Sequence, residues 1–298
     1  MRIGVYGNNS KDSVAQSVIR LLAIGKNYPL QFFLHDELKE HLLKQFPDHA
    51  STYHFRPSAD LVSTSDIIIT FGGDGTILSA ARMVGRSQVP ILGVNLGKLG
   101  FMAEVSLDEL ELFIGDIVNG KFVTEERMLL KTTVEKSDEE FFALNDIVID
   151  NGSSSRLIDV SVYVDNDFLV SFSGDGIILA TPTGSTAYSL AAGGPIVGPS
   201  TGVIVIQPIS PHSLSARTVI VPDTSNIRIV VEHHSNEARV TADGQLVRTF
   251  APPMNIHITK AEHTIRLIKR TDRSYYDVLR AKLFWGSDIR SQKGKDHE

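Results

Sequence analysis

The sequence predicts an α/β domain followed by a β-rich domain, and two observations carry this prediction. Up to about residue 125, short apolar runs of strand length alternate with segments of helix length. After about residue 126, short segments follow one another in which apolar and polar residues alternate with period two. The first pattern is typical of a parallel sheet covered by helices, and the second pattern is typical of packed antiparallel sheets. At 298 residues, 42% of them hydrophobic, the chain is long enough for two domains.

The first domain, predicted over residues 1–125, is Rossmann-like, with a parallel sheet lying between helices. Its first turn, Gly4 to Asn9, lacks the spacing G-x-G-x-x-G, so the ordinary dinucleotide fingerprint is excluded there. The predicted strands are Arg2–Tyr6, Gln31–Leu34, Asp66–Phe71 and Pro90–Asn95; the predicted helices are Val14–Ile24, Glu37–Phe46, Ile77–Val84 and Ser106–Asn119.

The second domain, predicted over residues 126–269, is β-sandwich-like, with hairpin turns at Asp165–Asp167 and at Asp243-Gly244. A final helix over Tyr275–Leu283 needs a surface to cover, and we expect residues 270–298 to return to the first domain. The polar segment Ser287–Glu298 is expected to fray. The predicted strands are 130–134, 141–149, 160–164, 203–206, 227–231 and 240–241.

Composition excludes several classes of protein. A net charge of −6 and the lack of a basic stripe argue against a nucleic-acid partner. No run approaches eighteen apolar residues, and no signal-peptide pattern opens the chain, so we expect no membrane span and a cytoplasmic location. The absence of cysteine excludes disulfides and thiolate chemistry. His54, His212, His233 and His234 show no metal-ligand spacing, so no resident metal site is predicted.

The most informative motif is Gly72-Gly73-Asp74-Gly75-Thr76, which joins a buried strand to a helix. A strand that breaks into glycines before a helix brings free backbone N–H groups and the positive helix end to one point, where phosphate can bind. Asp74 lies among these glycines. A carboxylate beside bound phosphates adds unfavourable negative charge, so a role as a base or a metal ligand explains it better than no role at all. The alternative is a tight turn in which Asp74 only hydrogen-bonds local backbone.

A second glycine-flanked aspartate, Asp175 before Gly176, leads into the segment Thr183-Gly184-Ser185-Thr186. This cluster of hydroxyls and glycine can donate hydrogen bonds to phosphate, ribose or amide groups. It could equally be a Ser/Thr-rich turn that caps a helix over Ala187–Ala192.

Two further candidates lie at predicted strand positions. Asn145 and Asp146 are adjacent in a strand-like segment, where one of them would point into the core unless a bulge or a strand end intervenes. An Asx turn explains the pair equally well. Phe101 follows the strand that ends at Asn95 and could stack on an aromatic base, although a core position is the default for phenylalanine.

Taken together, these motifs resemble NAD kinases of the bacterial type, over nearly the whole chain. The Gly-Gly-Asp-Gly-Thr motif alone is shared with diacylglycerol and sphingosine kinases, whereas the run from Thr181 to Ser189 (Thr-Pro-Thr-Gly-Ser-Thr-Ala-Tyr-Ser) is specific to NAD kinases. The resemblance implies transfer of the γ-phosphate of ATP to the 2′-hydroxyl of the adenosine ribose of NAD, with Mg²⁺ carried by the nucleotide. It also implies a homodimer or homotetramer built through the β domain.

The resemblance assigns roles to individual residues. Asp74 would be the general base, and Gly72, Gly73, Gly75 and Thr76 would surround the phosphates. Asp146 replaces the glutamate that is frequent in the family and is one methylene shorter. The residues expected to bind NAD are Asp74, Gly75, Leu78, Phe101, Asn145, Asp146, Arg156, Asp175, Thr183, Thr186, Ala187, Tyr188, Ser189 and Gln245.

Two other functions share parts of this pattern. A lipid kinase of the same superfamily would need an apolar entry surface, against which the acidic composition argues. A non-catalytic dinucleotide sensor would keep the pocket without turnover, but it would need no base at Asp74.

Overall fold

A computed structural model describes residues 1–8, 13–47, 53–97, 100–152, 156–232 and 237–285. His233, His234 and the predicted frayed segment Ser287–Glu298 lie outside the described residues. The chain forms two compact units: unit 1 comprises Met1–Glu125 and Arg266–Glu298, and unit 2 comprises Glu126–Ile265. None of the helices in the described ranges has the length and apolar content needed to cross a membrane.

Unit 1 begins as an alternation of strands and helices. Short turns of 3₁₀ helix lie at Asp36–Leu38 and Gly85–Ser87. The elements are β1 (Arg2–Gly7), α1 (Ser13–Gly25), β2 (Gln31–His35), α2 (Lys39–Gln45), β3 (Phe55–Arg56), α3 (Ser58–Thr64), β4 (Ile67–Gly72), α4 (Asp74–Val84), β5 (Ile91–Asn95), β6 (Val105–Ser106) and α5 (Leu110–Val118).

The sheet of unit 1 is parallel, with strands in the order β3-β2-β1-β4-β5. This is the strand order of doubly wound nucleotide-binding sheets, in which ligands bind beyond the carboxyl ends where the order reverses, here between β1 and β4. β4 is buried along its whole length because helices cover both faces of the sheet. The core includes Val5, Ile69 and Val94 from the strands and Val18 and Leu21 from α1.

Unit 2 consists almost entirely of antiparallel strands. Among its described residues, 126–152, 156–232 and 237–265, the one α-helix is the four-residue α6, which follows a 3₁₀ turn at Gly184–Thr186. The elements are β7 (Val123–Val134), β8 (Glu140–Ala143), β9 (Asp146–Asp150), β10 (Ile158–Val164), β11 (Asp167–Gly174), β12 (Gly176–Ala180), α6 (Tyr188–Ala191), β13 (Val203–Ile209), β14 (Val219–Pro222), β15 (Ile227–Val231), β16 (Ala238–Ala242), β17 (Leu246–Phe250) and β18 (Met254–Lys269).

Two sheets pack face to face in unit 2. One has the order β11-β10-β15-β18, and the other has the order β14-β13-β12-β9-β16-β17. Apolar side chains from both sheets, such as Val160 and Ile229 from the first and Ile147 and Ile177 from the second, share one core. The sandwich-like β domain predicted from the period-two pattern is therefore confirmed.

The last residues of β18 and the helix α7 (Tyr275–Leu283) belong to unit 1. Leu267 pairs in parallel with Ile91 of β5, and Ile268 is buried in the core of unit 1. Ser274 caps α7, because its hydroxyl accepts a hydrogen bond from the N–H of Asp277 while the Asp277 carboxylate accepts one from the N–H of Ser274. The predicted return of the chain to the α/β domain is confirmed.

Several predicted elements differ from the structure; the strand predicted over 130–134, for example, is the end of β7 (Val123–Val134). The helix predicted from Ile77 begins at Asp74, and the helix predicted over Ser106–Asn119 begins at Leu110, because the Glu109 carboxylate accepts hydrogen bonds from Ser106 in the preceding turn. The single strand predicted over Phe141–Ile149 is two strands, β8 and β9, in different sheets.

Candidate functional site

The glycine-rich motif lies at the carboxyl end of β4 and runs directly into the first turn of α4. Gly73 is the residue before the helix and has extended backbone angles, φ −114° and ψ −164°. A β-carbon on Gly72 would lie 2.0 Å from the Thr76 hydroxyl oxygen, so only glycine fits against that side chain. Asp74 is thus the first residue of an eleven-residue helix whose N-terminal dipole favours negative charge.

The Asp74 carboxylate is held by a segment that follows β5. Oδ2 accepts the N–H of Phe101 at 2.8 Å, and Oδ1 accepts the N–H groups of Met102 at 3.0 Å and Ala103 at 3.2 Å. These donors are 27 to 29 residues away in the chain. The alternative of a purely local turn is therefore wrong, since the carboxylate links two neighbouring strand ends of the parallel sheet.

Gly100 makes this contact possible. A β-carbon at Gly100 would lie 2.1 Å from Oδ1 and 2.9 Å from Cγ of Asp74. Phe101 is half-buried rather than a core residue, and the Lys282 ammonium of α7 lies 5.6 Å from the centre of its ring. Leu78, one turn into α4, is buried.

In unit 2, the Asn145-Asp146 pair lies where β8 ends and β9 begins. The Asp243 carboxylate accepts the N–H groups of Leu144 at 3.0 Å, Asn145 at 2.7 Å and Asp146 at 3.3 Å. The strand predicted over this segment is broken because a side chain, rather than a neighbouring strand, satisfies these backbone donors. At this strand end Asn145 is half-buried, whereas Asp146 is buried in the wall of a pocket.

A pocket of about 380 Å³ opens beside this strand end. It brings together four of the residues predicted to bind NAD: Asn145, Asp146, Ala187 and Tyr188. Its other walls are Val148, Asp150, Arg239, Thr241, Asp243, Gly244 and Val247.

Asp146 is a buried acid of this pocket. Its residue surface is only 4% exposed, and burial, assisted by the negative charge of Asp243, raises its pKa to about 7. The N–H of Tyr188 hydrogen-bonds the carboxylate and acts in the opposite direction. At neutral pH this group can therefore act as a hydrogen-bond donor or as an acceptor.

The hydroxyl cluster of the Thr181–Ser189 run is mostly used within the protein. Thr181 Oγ1 donates to the Leu144 carbonyl, Ser185 Oγ donates to the Pro182 carbonyl, and Thr186 Oγ1 donates to the Thr183 carbonyl. These three hydroxyls therefore donate to backbone carbonyls of the protein, and donation to a ligand from Ser185 and Thr186, which belong to the predicted cluster, stays a prediction. The capping alternative is wrong, because Ala187 precedes α6 and no side chain caps the helix.

The remaining predicted residues lie elsewhere in unit 2. Thr183 is buried, and its hydroxyl oxygen accepts a hydrogen bond from Arg127 at 3.3 Å. Ser189 is fully buried, with its hydroxyl unpaired among the described residues. Outside the pocket are Thr183, Thr186, Ser189, the half-buried Asp175 between β11 and β12, and the exposed residues Arg156 and Gln245.

The motifs alone did not identify three features of these sites. The sequence predicts only a hairpin turn at Asp243, and its positive φ of 52° fits that turn. Its carboxylate has a second role, because it also accepts three backbone N–H bonds from residues 144–146. Arg239 and Asp150 form a two-pronged ion pair at 3.0 and 3.1 Å in the pocket wall, and cross-strand partners leave no local sequence signal. Lys269 directly follows the apolar residues Leu267 and Ile268. A single lysine after an apolar pair is the only feature of the sequence that points to a buried cation there.

Comparison with known families follows the same division of the chain. The model of the ATP-NAD kinase N-terminal domain matches residues 6–122, and that of the ATP-NAD kinase C-terminal domain matches residues 144–270. An NAD kinase of Ectopseudomonas mendocina (strain ymp) is 39% identical over 291 residues, which cover 96% of this chain and 97% of that protein. An NAD kinase of Pseudomonas syringae pv. syringae (strain B728a) is 40% identical, with 96% of each chain covered.

Solved structures show the same similarity. A crystal structure of yeast NADH kinase complexed with NADH superposes with a TM-score of 0.89 and 28% identity, covering 97% of this chain and 89% of that one. An NAD kinase from Archaeoglobus fulgidus in complex with ATP gives a TM-score of 0.76 and 26% identity, covering 94% and 99%.

Proposed function

The chain belongs to the ATP-NAD kinase family, and on that premise we propose which of its residues perform the reaction. It is an enzyme that phosphorylates NAD with ATP to form NADP. The lipid-kinase and sensor alternatives are not favoured, because both halves of the chain match models of this family.

Asp74 is the proposed general base. Its carboxylate accepts the proton of the adenosine 2′-hydroxyl, the hydroxyl oxygen forms a bond to the γ-phosphorus of ATP, and ADP leaves with the electrons of the broken bond. The three N–H bonds from Phe101, Met102 and Ala103 are the observation that carries this role. They use three of the carboxylate's roughly four acceptor sites, so a fixed site at Oδ2 is left for the hydroxyl.

The phosphates are proposed to bind at the start of α4. Gly72, Gly73, Gly75 and Thr76 surround Asp74, and the helix dipole favours anionic oxygens there. Gly75 is exposed, and no atom lies within 4 Å of the position of a β-carbon at Gly73, so a ligand can approach the backbone closely.

The dinucleotide is proposed to occupy the pocket beside Asn145 and Asp146. Asp146 can bond a ribose hydroxyl or a base amino group in either protonation state, and Ala187 with the exposed Tyr188 supplies apolar surface for a ring. Asp243 holds the three N–H groups that orient this pair. Contacts are also proposed for Leu78, Phe101, Arg156, Asp175, Thr183, Thr186, Ser189 and Gln245.

The proposed divalent cation is Mg²⁺ bound to the nucleotide. Among the described residues no group of three or more His, Asp or Glu side chains could hold a metal ion. Mg²⁺ commonly binds substrate phosphates and water with only one or two protein carboxylates, so a nucleotide-bound ion fits this donor set. When bound, it neutralises charge on the phosphate oxygens.

The assembly and location are proposed from the same family premise. Self-association as a homodimer or homotetramer would use the β domain, and the lack of cysteine fits a reducing cytoplasm. The acidic net charge of −6 fits a protein without a nucleic-acid partner.

The test is an NADP-forming assay with purified protein, NAD, Mg²⁺ and ATP. Asp74→Asn is expected to lower kcat by about 10²- to 10⁴-fold while it keeps NAD binding, because the amide cannot accept the proton. Asp60→Asn is the matched control, since Asp60 is an exposed acid in the first turn of α3 in the same unit. Parallel reactions with NADH and with polyphosphate define the acceptor and the donor. Turnover by Asp74→Asn at the parent rate would show that Asp74 is not the base.

A further inference from the structure

The segment that holds the Asp74 carboxylate is itself anchored at the next residue. Glu104 directly follows Ala103 and is only 3% exposed. Its Oε1 forms an ion pair with the ammonium of Lys269, and its backbone carbonyl accepts a hydrogen bond from Arg273 at 3.1 Å. Both the side chain and the backbone of Glu104 are therefore fixed by cations from the last part of unit 1.

Lys269 is a buried cation at the end of β18. The residue is 7% exposed, and the nearest other carboxylate oxygen is Glu125 Oε2 at 4.0 Å. Burial lowers the pKa of Lys269 to about 8, and the negative charge of Asp74 acts in the opposite direction. The ammonium therefore lies within electrostatic range of the Asp74 carboxylate.

Stability alone does not explain this ion pair. Removing two charges from water costs several kcal/mol per ion, and replacement of a buried pair by apolar residues is often neutral or stabilising. Glu104 Oε2 is buried and lacks a hydrogen-bond partner among the described residues, so the desolvation of this carboxylate is only partly offset. A costly, incompletely satisfied pair next to the reacting carboxylate calls for a functional reason.

We infer that Lys269 is a positioning residue for phosphoryl transfer. Through Glu104 it fixes the segment Phe101–Ala103 that orients the Asp74 carboxylate. This inference rests on the proposed role of Asp74 as the base.

The ammonium of Lys269 lies among acids. Glu104 and Glu125 face it directly, Asp74 lies within electrostatic range, and Arg273 donates a hydrogen bond to the Glu104 carbonyl. Removal of the Lys269 charge leaves the Glu104 carboxylate without its direct counter-ion, so the segment that orients Asp74 loses an anchor.

The test replaces both members of the pair by apolar residues of similar volume. Lys269→Met alone leaves Glu104 as an uncompensated buried charge and can fail to fold, so Lys269→Met/Glu104→Leu is the main variant. We expect it to keep its melting temperature and its KM for NAD and ATP within about threefold, while kcat falls about tenfold or more. Arg2→Met is the control, because the ion pair of Arg2 with Asp66 lies at the amino ends of the parallel strands β1 and β4, whereas Asp74 follows the carboxyl end of β4.

The Asp74→Asn background separates the two hypotheses. If Lys269 acts through Asp74, the apolar pair lowers kcat no further in that background. Parent-level kcat in Lys269→Met/Glu104→Leu would overturn the inference and leave the base assignment intact. An equal fall of kcat in both backgrounds would also overturn it. Parent-level turnover by Asp74→Asn would overturn the base assignment first, and this inference with it.

Discussion

Substitution of Gly100 by alanine moves the carboxylate that we assign as the base without removing it. The new β-carbon would lie 2.1 Å from Asp74 Oδ1, whereas an ordinary contact begins near 3.4 Å. The carboxylate or the segment must therefore shift by more than 1 Å. A misplacement of about 1 Å costs on the order of 10²-fold in rate, which corresponds to about 3 kcal/mol of transition-state stabilisation.

The assay for Gly100→Ala is steady-state NADP formation with independent titration of NAD and ATP. We expect kcat to fall about 100-fold and the KM for ATP to stay within about threefold, because the proposed phosphate contacts at the start of α4 do not involve Gly100. Overpacking costs about 1–3 kcal/mol of folding free energy, so urea unfolding checks that the variant remains folded. Gly198→Ala is the matched control, since its β-carbon would meet only the Thr201 hydroxyl at 3.5 Å.

One result would refute this reasoning. A folded Gly100→Ala enzyme with parent-level kcat would mean that the geometry of the Asp74 carboxylate does not limit the chemical step. Equal changes of kcat in Gly100→Ala and Gly198→Ala would show that the effect is not specific to the contact with Asp74.

Two further predictions concern unit 2. Asparagine at position 243 tolerates the positive φ but has only one acceptor oxygen for the N–H groups of Leu144, Asn145 and Asp146, so we expect Asp243→Asn to lose about 2–3 kcal/mol of stability in urea unfolding. The control is Asp165→Asn, because Asp165 also has a positive φ but its carboxylate accepts one N–H; it should lose less than half as much. Equal losses would contradict the role of Asp243. The pKa of Asp146 is about 7 in the folded protein and its ordinary value is 3.8, so the folded state binds more protons between these values and stability falls as pH rises from about 4 to about 7. Between pH 5 and pH 8 this fall amounts to about 2.5 kcal/mol in urea unfolding, Asp146→Asn should remove it, and an unchanged fall would refute the burial argument.

The order of elements followed from the sequence because hydrophobic periodicity reports local burial. Strand β4 and helix α1 have the patterns of a fully buried strand and an amphipathic helix, and both formed where predicted within one or two residues. The same holds for α7, whose bounds, Tyr275–Leu283, agree with the prediction. The glycines around Asp74 located the strand-to-helix junction because only such a junction needs them.

The rest depended on contacts between residues far apart in the chain. The strand predicted over Phe141–Ile149 is broken by Asp243, nearly 100 residues later, and no local pattern shows that bond. The N–H donors of Phe101 to Ala103 lie 27 to 29 residues from Asp74, and Glu104 lies 165 residues from Lys269, so these contacts are not local either. Likewise, the hydroxyls of Thr181 and Ser185 have the chemistry of ligand donors, but backbone carbonyls of the folded chain use them.

Unit 2 is inserted between two parts of unit 1, and this connectivity fixes an order of synthesis. When Ile265 has left the ribosome, every residue of unit 2 is available, whereas unit 1 still lacks Ile268 from its core and Lys269 beside Glu104. Until Lys269 emerges, the buried Glu104 has no counter-ion and the segment that orients Asp74 is not anchored. A nascent chain can therefore complete its β domain while it is still incapable of catalysis, so premature release yields an inactive fragment rather than a partly active enzyme.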